Sequence, residues 1–355
     1  MKEDMKLELQ RKITKNLALG YSLLRTGNFA VQGLVLPVID RLSTGKKRET
    51  PVNYPEHLKA ALPKIHKLLE KDAENISDGF YPLEVLKPEN PFSHSLRLPQ
   101  IIKDAFDSAK RRNDKSAHVF DKEAEEFTAD LPNYYTRNFH YQTSGYLGEK
   151  SAELYEHQVE ILFSGAANAM RRLLIPQLKI HFQNSNGEGL KFLEVASGTG
   201  AMTRFLALAF PKAQITCVDL SSFYLNKAQK RLQDFKRIDY VQGRAENLNF
   251  TDQSFDAVVS CFLFHELPIE VRKQVILEGK RVLKSLGFYG MIDSLQENDD
   301  ADFAWALERF PQDFHEPFYK NYTQNPMEKL IEDAGLKNIQ TDIGFLSKSV
   351  STVKE

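Results

Sequence analysis

The chain has 355 residues, with 47 Lys and Arg against 48 Asp and Glu, a formal net charge of −1, 42% hydrophobic and 27% charged residues. This is ordinary globular composition, which excludes a disordered or fibrous chain, and its charge balance argues against a nucleic-acid partner, which calls for a basic excess. Two cysteines, Cys217 and Cys261, exclude a disulfide framework or a cysteine-held iron–sulfur cluster; with no Cys/His zinc spacing, we expect no metal and a reducing, cytoplasmic setting.

The N-terminus stays charged from Lys2 to Lys15, so no secretory signal is read there. Over 17–42 apolar residues recur at helical spacing, interrupted by Gly27, Gly33 and Pro37, and the uncharged run 26–39 is too short to span a bilayer. This stretch is expected to bury a face against the rest of the chain or a second subunit, with peripheral membrane contact as the alternative open to an amphipathic helix. The basic clusters Lys46-Lys47-Arg48 and Lys110-Arg111-Arg112 read as solvated charges. A helix is predicted over 56–75, with Leu58, Leu62, Ile65, Leu68 and Leu69 on one face and Asp78-Gly79 as its stop. A loop punctuated by Pro82, Pro88, Pro91 and Pro99 follows, then a short helix to about Arg112. Residues 1–115 thus read as a helical N-terminal extension, and 116–355 as the second unit.

One long helix is predicted from 151 to near 176. Strands are then expected at 191–196, 214–220, 239–242, 257–262, 288–293, 338–343 and 348–353, alternating with helices at 201–210, 223–235, 270–283 and 326–334. Apolar strands alternating with helices indicate a mostly parallel sheet covered on both faces. The predicted class is α/β, a doubly wound, Rossmann-like sheet of seven strands, with a lid segment at 131–180 ahead of a core sheet at 190–355.

The residues that carry chemistry begin with Phe192-Leu193-Glu194-Val195-Ala196-Ser197-Gly198-Thr199-Gly200, where a buried strand ends in a glycine turn that feeds a helix. Such a turn lets the backbone approach a ligand closely. Asp219 ends the second strand, 19 residues after Gly200, where a carboxylate can accept both hydroxyl protons of a ribose. The pair points to an adenosine-containing ligand. Gln242-Gly243-Arg244-Ala245-Glu246-Asn247-Leu248, Phe255-Asp256-Ala257-Val258-Val259-Ser260, Phe264-His265-Glu266-Leu267 and Arg281-Val282-Leu283-Lys284 then follow in order.

With these motifs in place, the stretch 190–295 resembles the class I S-adenosylmethionine-dependent methyltransferases, most of all the branch of the ubiquinone/menaquinone C-methyltransferases. The resemblance implies S-adenosylmethionine as cofactor, S-adenosylhomocysteine as product, and a small-molecule acceptor. By the same resemblance Ala196, Ser197, Gly198 and Gly200 lie along the methionine part, Glu194 orients that turn, and Asp219 holds the ribose. Leu220 lies against the adenine, Arg244 and Ala245 flank its edge, and Ser260 faces the methyl donor. Three positions depart from the family pattern: Ala196 stands for its first glycine, Arg244 for an acidic residue, and Ser285-Leu286-Gly287 for Pro-Gly-Gly. An arginine cannot accept a hydrogen bond from the adenine amino group.

Methyl transfer from a sulfonium is an in-line displacement, so a base is needed only when the nucleophile must lose a proton. The candidates at the sheet's carboxyl edge are His265 with Glu266, Asp293, and His315 with Glu316. Tyr134, His140, Tyr141 and Gln142, ahead of the long helix, are expected to meet cofactor or substrate, as is Tyr319. The aromatics near this mouth, Phe139, Tyr146, Phe262, Phe264, Phe314 and Phe318 among them, suggest a small or mid-sized apolar or aromatic acceptor. A protein or peptide acceptor, or a regulatory protein that binds S-adenosylmethionine without turnover, stands as the alternative. The oligomeric state and the acceptor's identity stay open.

Overall fold

The structure, a computed structural model, describes residues 2–46, 52–88, 93–120 and 122–355. Lys47, Arg48 and Pro91 of the sequence reading lie outside them. The N-terminal part is helical: α1 (Lys2–Gly33), α2 (Leu36–Thr44), α3 (Tyr54–Ser77) and α4 (Ser93–Asp114). Gly20 and Gly27 do not interrupt α1, and the chain turns only after Gly33, with Pro37 in the first turn of α2 where its missing N–H costs nothing. The last of the four begins earlier than expected and carries Pro99 inside it.

A short α5 (Lys122–Glu125) leads to α6 (Glu149–Leu162), α7 (Ala167–Arg171) and α8 (Ile175–His181). The single helix predicted over 151–176 is therefore three. The first of its two breaks falls at Ser164 and Gly165, with φ of 49° and 80°, and the second between α7 and α8. A Cβ at Gly165 would come within 3.0 Å of the Thr26 Cα, so the break is where α1 crosses the end of α6. Arg25 ties the crossing, donating to the Gly165 carbonyl and, at 2.8 Å, to Glu160.

The rest of the chain runs β1 (Lys191–Val195), α9 (Ala201–Ala209), β2 (Gln214–Asp219), α10 (Ser222–Arg231), β3 (Ile238–Gln242), β4 (Phe255–Cys261), α11 (Ile269–Val282), β5 (Leu283–Ser294), α12 (Ala304–Asp313), α13 (Tyr319–Gln324), α14 (Met327–Asp333), β6 (Gln340–Gly344) and β7 (Ser347–Val353). The seven strands form one sheet in the order β3-β2-β1-β4-β5-β7-β6. The first five are parallel and β7 is antiparallel to both its neighbours, as a doubly wound, mostly parallel sheet requires. Strand order reverses at β1, and an open α/β sheet binds ligands outside the carboxyl ends of its strands at such a point. Register sets Val195 beside Val218 and Ser260, so the ends of β1, β2 and β4 meet at one edge.

The extension is part of the core. Ala18 of α1 and Ala73 and Ile76 of α3 share a buried cluster with Phe192 of β1, Phe205 and Leu206 of α9, and Ile215 of β2. Arg172 reaches Asp72 of α3 with two buried hydrogen bonds of 2.7 and 2.6 Å, and Tyr81 donates to the same carboxylate at 2.8 Å. On the other side α1 and α2 leave Leu17, Leu24, Val31, Leu34, Val38 and Leu42 exposed. Among the described residues no helix is long and apolar enough to cross a membrane.

Candidate active site

A cleft enclosing about 940 Å³, its open mouth included, lies over the ends of β1, β2 and β4. Its floor is the turn after β1. Ala196, Gly198 and Gly200 all take positive φ there, 53°, 55° and 77°, so the alanine in place of the family's glycine keeps a left-handed backbone. A Cβ on Gly198 would meet nothing closer than Tyr224 at 4.0 Å, which leaves the floor open to a ligand. Gly200 does not line the cleft. Its Cβ would strike Leu232 at 2.8 Å and Ala228 at 3.1 Å, so this glycine serves the packing of α10 against the turn.

Asp219 stands beside that floor. Its Oδ2 accepts from the Gly198 N–H and its Oδ1 from the Ser221 N–H, both at 2.8 Å. Burial nevertheless raises its pKa to about 6 against those two donors. Glu194 is buried deeper, accepts from the Thr203 hydroxyl at 2.6 Å, and is raised to about 8 by burial. Leu220, Arg244 and Ala245 line the far end. The Arg244 guanidinium turns to the Asp130 carbonyl at 2.8 Å, and the acidic side chain at this end is Glu246, which accepts from Tyr134 at 2.7 Å.

Tyr134 thus borders the cleft, and Tyr135, Phe139, Tyr146 and Tyr155 join it in an aromatic wall. Phe139 stacks on Tyr146 at 5.3 Å, and Tyr155 meets Tyr224 edge-on at 5.4 Å. Two charged residues of this wall were not foreseen. Glu156 of α6 and Arg171 of α7 both line the cleft and pair at 3.0 Å. They come from helices with no motif of their own, so nothing in their local sequence marks them.

Ser260 is buried in β4 and does not line the cleft; Cys261 and Phe262, just beyond it, take the place expected of it. Phe262 and Tyr155 also border a second cavity of about 510 Å³, lined by Val159, Leu162, Phe163 and Phe310 with Tyr319, Ser294, His140 and His265. A third, bounded by Leu36, Ile101 and Phe314, shares His140, Val159 and Leu162 with it and is walled partly by the extension. Gln142 borders this third cavity and donates to the Gly145 carbonyl at 3.0 Å.

Where the first two cavities meet, four ionisable groups converge: His140, His265, Glu266 and Glu316. His265 Nδ1 lies 2.6 Å from Asp293 Oδ1, while Asp293 Oδ2 accepts from the Leu263 and Phe264 N–H groups at 3.1 and 2.7 Å. Asp293 faces neither cavity; it is a positioning residue for His265. Burial lowers the His265 pKa, but the Asp293 charge and hydrogen bond outweigh it and carry the imidazole to about 9. Burial and then the charge of Glu316 push Glu266, which accepts from the Tyr146 hydroxyl, up to about 7. His140 Nε2 lies 2.8 Å from Glu316 Oε1; burial lowers this imidazole and Glu316 raises it further, leaving it above its usual value.

Two expected residues are not here. His315 borders none of these cavities; its ring packs against Tyr141 at 5.7 Å and His118 at 6.5 Å, and burial lowers its pKa. The next residue, Glu316, is the one that turns inward. Tyr141 also stays outside, its carbonyl accepting from Arg111 at 2.7 Å. Positive φ at His140 and Tyr141, 55° and 53°, sends one side chain in and the next away.

Residues 192–287 match the family described as methyltransferase domain. A demethylmenaquinone methyltransferase of Thermotoga maritima is 39% identical over 108 residues, 30% of this chain and 45% of that protein. A fatty-acid O-methyltransferase of Mycolicibacterium smegmatis is 30% identical over 178 residues, 49% of this chain and 58% of that one. A solved S-adenosylmethionine-dependent methyltransferase from Aquifex aeolicus is 20% identical, with a TM-score of 0.39, over 50% of this chain and 89% of its own. The chain spans about half the length of the curated relatives it matches. Residues 192–287 thus match a methyltransferase domain, and the sheet order and the cleft are those that a resemblance to the class I, S-adenosylmethionine-dependent methyltransferases implies. A ubiquinone/menaquinone biosynthesis C-methyltransferase of Bartonella henselae is likewise similar, 34% identical over 145 residues, 38% of this chain and 52% of that one.

Proposed function

We propose that this protein transfers the methyl group of S-adenosylmethionine to a small or mid-sized, apolar or aromatic acceptor. The observation that carries this reading is the junction of two chambers: a cleft floored by the glycine turn and Asp219, and an apolar cavity behind Tyr155 and Phe262. S-Adenosylmethionine supplies a methyl group on a sulfonium centre and leaves as S-adenosylhomocysteine. Asp219 would accept from the two ribose hydroxyls, Leu220 and Ala245 would flank the adenine, and the backbone of 196–199 would follow the methionine part. Arg171 would meet the methionine carboxylate. The aromatic wall of Tyr135, Phe139, Tyr146 and Tyr155 excludes water from the reacting centre, where displacement depends on alignment and desolvation.

The acceptor would occupy the second cavity, its reacting atom set against Glu266 and His265, the polar groups where the chambers join. The third cavity gives room for an apolar acceptor that extends toward α2 and α4. Relatives named for demethylmenaquinone and for fatty acids support an apolar acceptor. Incubating the purified protein with S-adenosylmethionine and separate panels of quinols, phenols, fatty acids and peptides, and measuring S-adenosylhomocysteine, tests the proposal. Release with one of the first three panels is expected. Release with peptides alone would overturn the acceptor class, and folded protein that binds neither adenosyl ligand would overturn the activity.

A further inference from the structure

We propose that His140, His265, Glu266 and Glu316 form a binding site for a divalent first-row transition-metal ion at the junction of the two cavities. One ligand atom from each residue lies within 4.8 Å of the others, and all four side chains are buried or nearly so. They arrive from three separate segments: the turn at 139–141, the turn at 264–266 after β4, and the loop before α13. That dispersal is why no ligand spacing is visible in the sequence.

The arrangement leaves a buried carboxylate short of hydrogen-bond donors. Glu316 is fully buried as a side chain, and neither of its carboxylate oxygens has a hydrogen bond among the described residues. His140 Nε2 lies 2.8 Å from Oε1, which leaves Oε2 with no polar group against it among the described residues. A second buried carboxylate, Glu266, points into the same space, and two such charges repel unless something positive lies between them. With both imidazoles neutral, as metal ligands must be, and both carboxylates ionised, the site carries a charge of about −2, which one divalent ion balances in place of the imidazole protons.

The distances fit. His140 Nε2 to Glu316 Oε1 is 2.8 Å and His265 Nε2 to Glu266 Oε1 is 3.8 Å. These bracket the roughly 3.4 Å separating ligand atoms around a tetrahedral ion bound at about 2.1 Å. Imidazole with carboxylate suits zinc, manganese, iron or cobalt rather than magnesium or calcium. The outer contacts are also those of a metal site: Asp293 holds His265 Nδ1 so that Nε2 faces the cluster, and Tyr146 donates to Glu266.

Glu266 borders the donor cleft, whereas His140 and His265 border the second cavity. An ion between them would hold an acceptor oxygen and favour its deprotonated form beside the methyl donor. That use rests on the methyl-transfer reading; binding of the ion does not, and binding is what the experiment reads.

Full-length protein is treated with chelator, titrated with Co2+ while visible absorption is recorded, and titrated with Zn2+ by calorimetry. The expected result is a saturable cobalt ligand-field band at one equivalent and a matching Zn2+ isotherm. Glu316→Gln, nearly isosteric, and His140→Ala should each weaken both at least tenfold while circular dichroism shows them folded. S-Adenosylhomocysteine binding is measured on the same samples. If the nucleoside binds but cobalt gives no band, or if Glu316→Gln binds metal as the wild type does, the metal site falls and the methyltransferase reading stands.

Discussion

Asp219 is a buried carboxylate whose pKa stays raised despite its backbone donors, so its charge has capacity for further hydrogen bonds. Ribose hydroxyls would add the missing donors. Asp219→Ala should therefore weaken S-adenosylhomocysteine binding by about two orders of magnitude, since hydrogen bonds to a charged acceptor contribute roughly 1.5–3 kcal/mol each. Calorimetry on protein shown to be folded reads this, and an unchanged affinity would remove Asp219 from the ribose site. The pH dependence has a definite sign. The ionised form accepts both hydroxyls, and it is lost as pH falls through about 6. Binding at pH 5 should be about tenfold weaker than at pH 7, because roughly a tenth of the carboxyl is then ionised. Equal affinity at the two values would contradict it. Residues of this kind were legible because a motif fixes them relative to a strand end: Glu194, Ala196, Ser197, Gly198, Asp219, Leu220, Arg244 and Ala245 all border the cleft. His315 and Tyr141 were misplaced because their positions depend on turn dihedrals, and a one-residue rotation exchanges His315 for Glu316. Glu156 and Arg171 were illegible for a different reason, since only tertiary packing brings α6 and α7 to the cleft.

At the scale of elements, six of the seven strands were legible to within two residues, because short apolar runs between polar turns have few alternatives, while β5 begins at Leu283, five residues ahead of the expected start. The helix ends were not. Positions 151–176 have a continuous apolar pattern, and the break at Gly165 comes from α1 passing over it rather than from local preference. Gly165 has φ of 80°, and a Cβ there would lie 3.0 Å from Thr26 Cα and 3.2 Å from the Arg25 carbonyl. Gly165→Ala should destabilise the protein by about 2–4 kcal/mol, combining the left-handed penalty with overpacking against backbone that cannot yield. Denaturant titration would show this as a lower midpoint with an unchanged slope. A midpoint equal to the wild type would mean that α1 does not press on this turn. Gly27 makes the natural control: it lies within α1 with no atom near its Cβ position, so Gly27→Ala should leave stability level or slightly raise it.

Across the whole molecule the extension is held to the rest of the chain by shared burial and by ion pairs, of which Arg172 with Asp72 is the most buried. Arg172 and Asp72 are almost fully buried, bonded through two nitrogens and two oxygens, with the Tyr81 hydroxyl on the same carboxylate and the guanidinium 4.7 Å from the Phe205 ring. Removing one partner strands the other's charge in a dry interior, which costs about 3–5 kcal/mol, whereas replacing both with apolar residues is far milder. Asp72→Ala should therefore fall in that range, and Asp72→Ala with Arg172→Met should recover much of the loss. The chain's single tryptophan gives an independent view of the same docking, because Trp305 of α12 stacks on His57 of α3 with ring centroids 4.5 Å apart. Its fluorescence follows the contact between α3 of the extension and α12, while far-ultraviolet circular dichroism follows all the helices and strands. If the two parts unfold as one unit, both signals should share a midpoint in the wild type and shift together in Asp72→Ala. A fluorescence change at lower denaturant than the loss of secondary structure would mean that the extension undocks by itself. The walls that α2 and α4 give the third cavity would then be transient, and the space for a long acceptor would open and close with them.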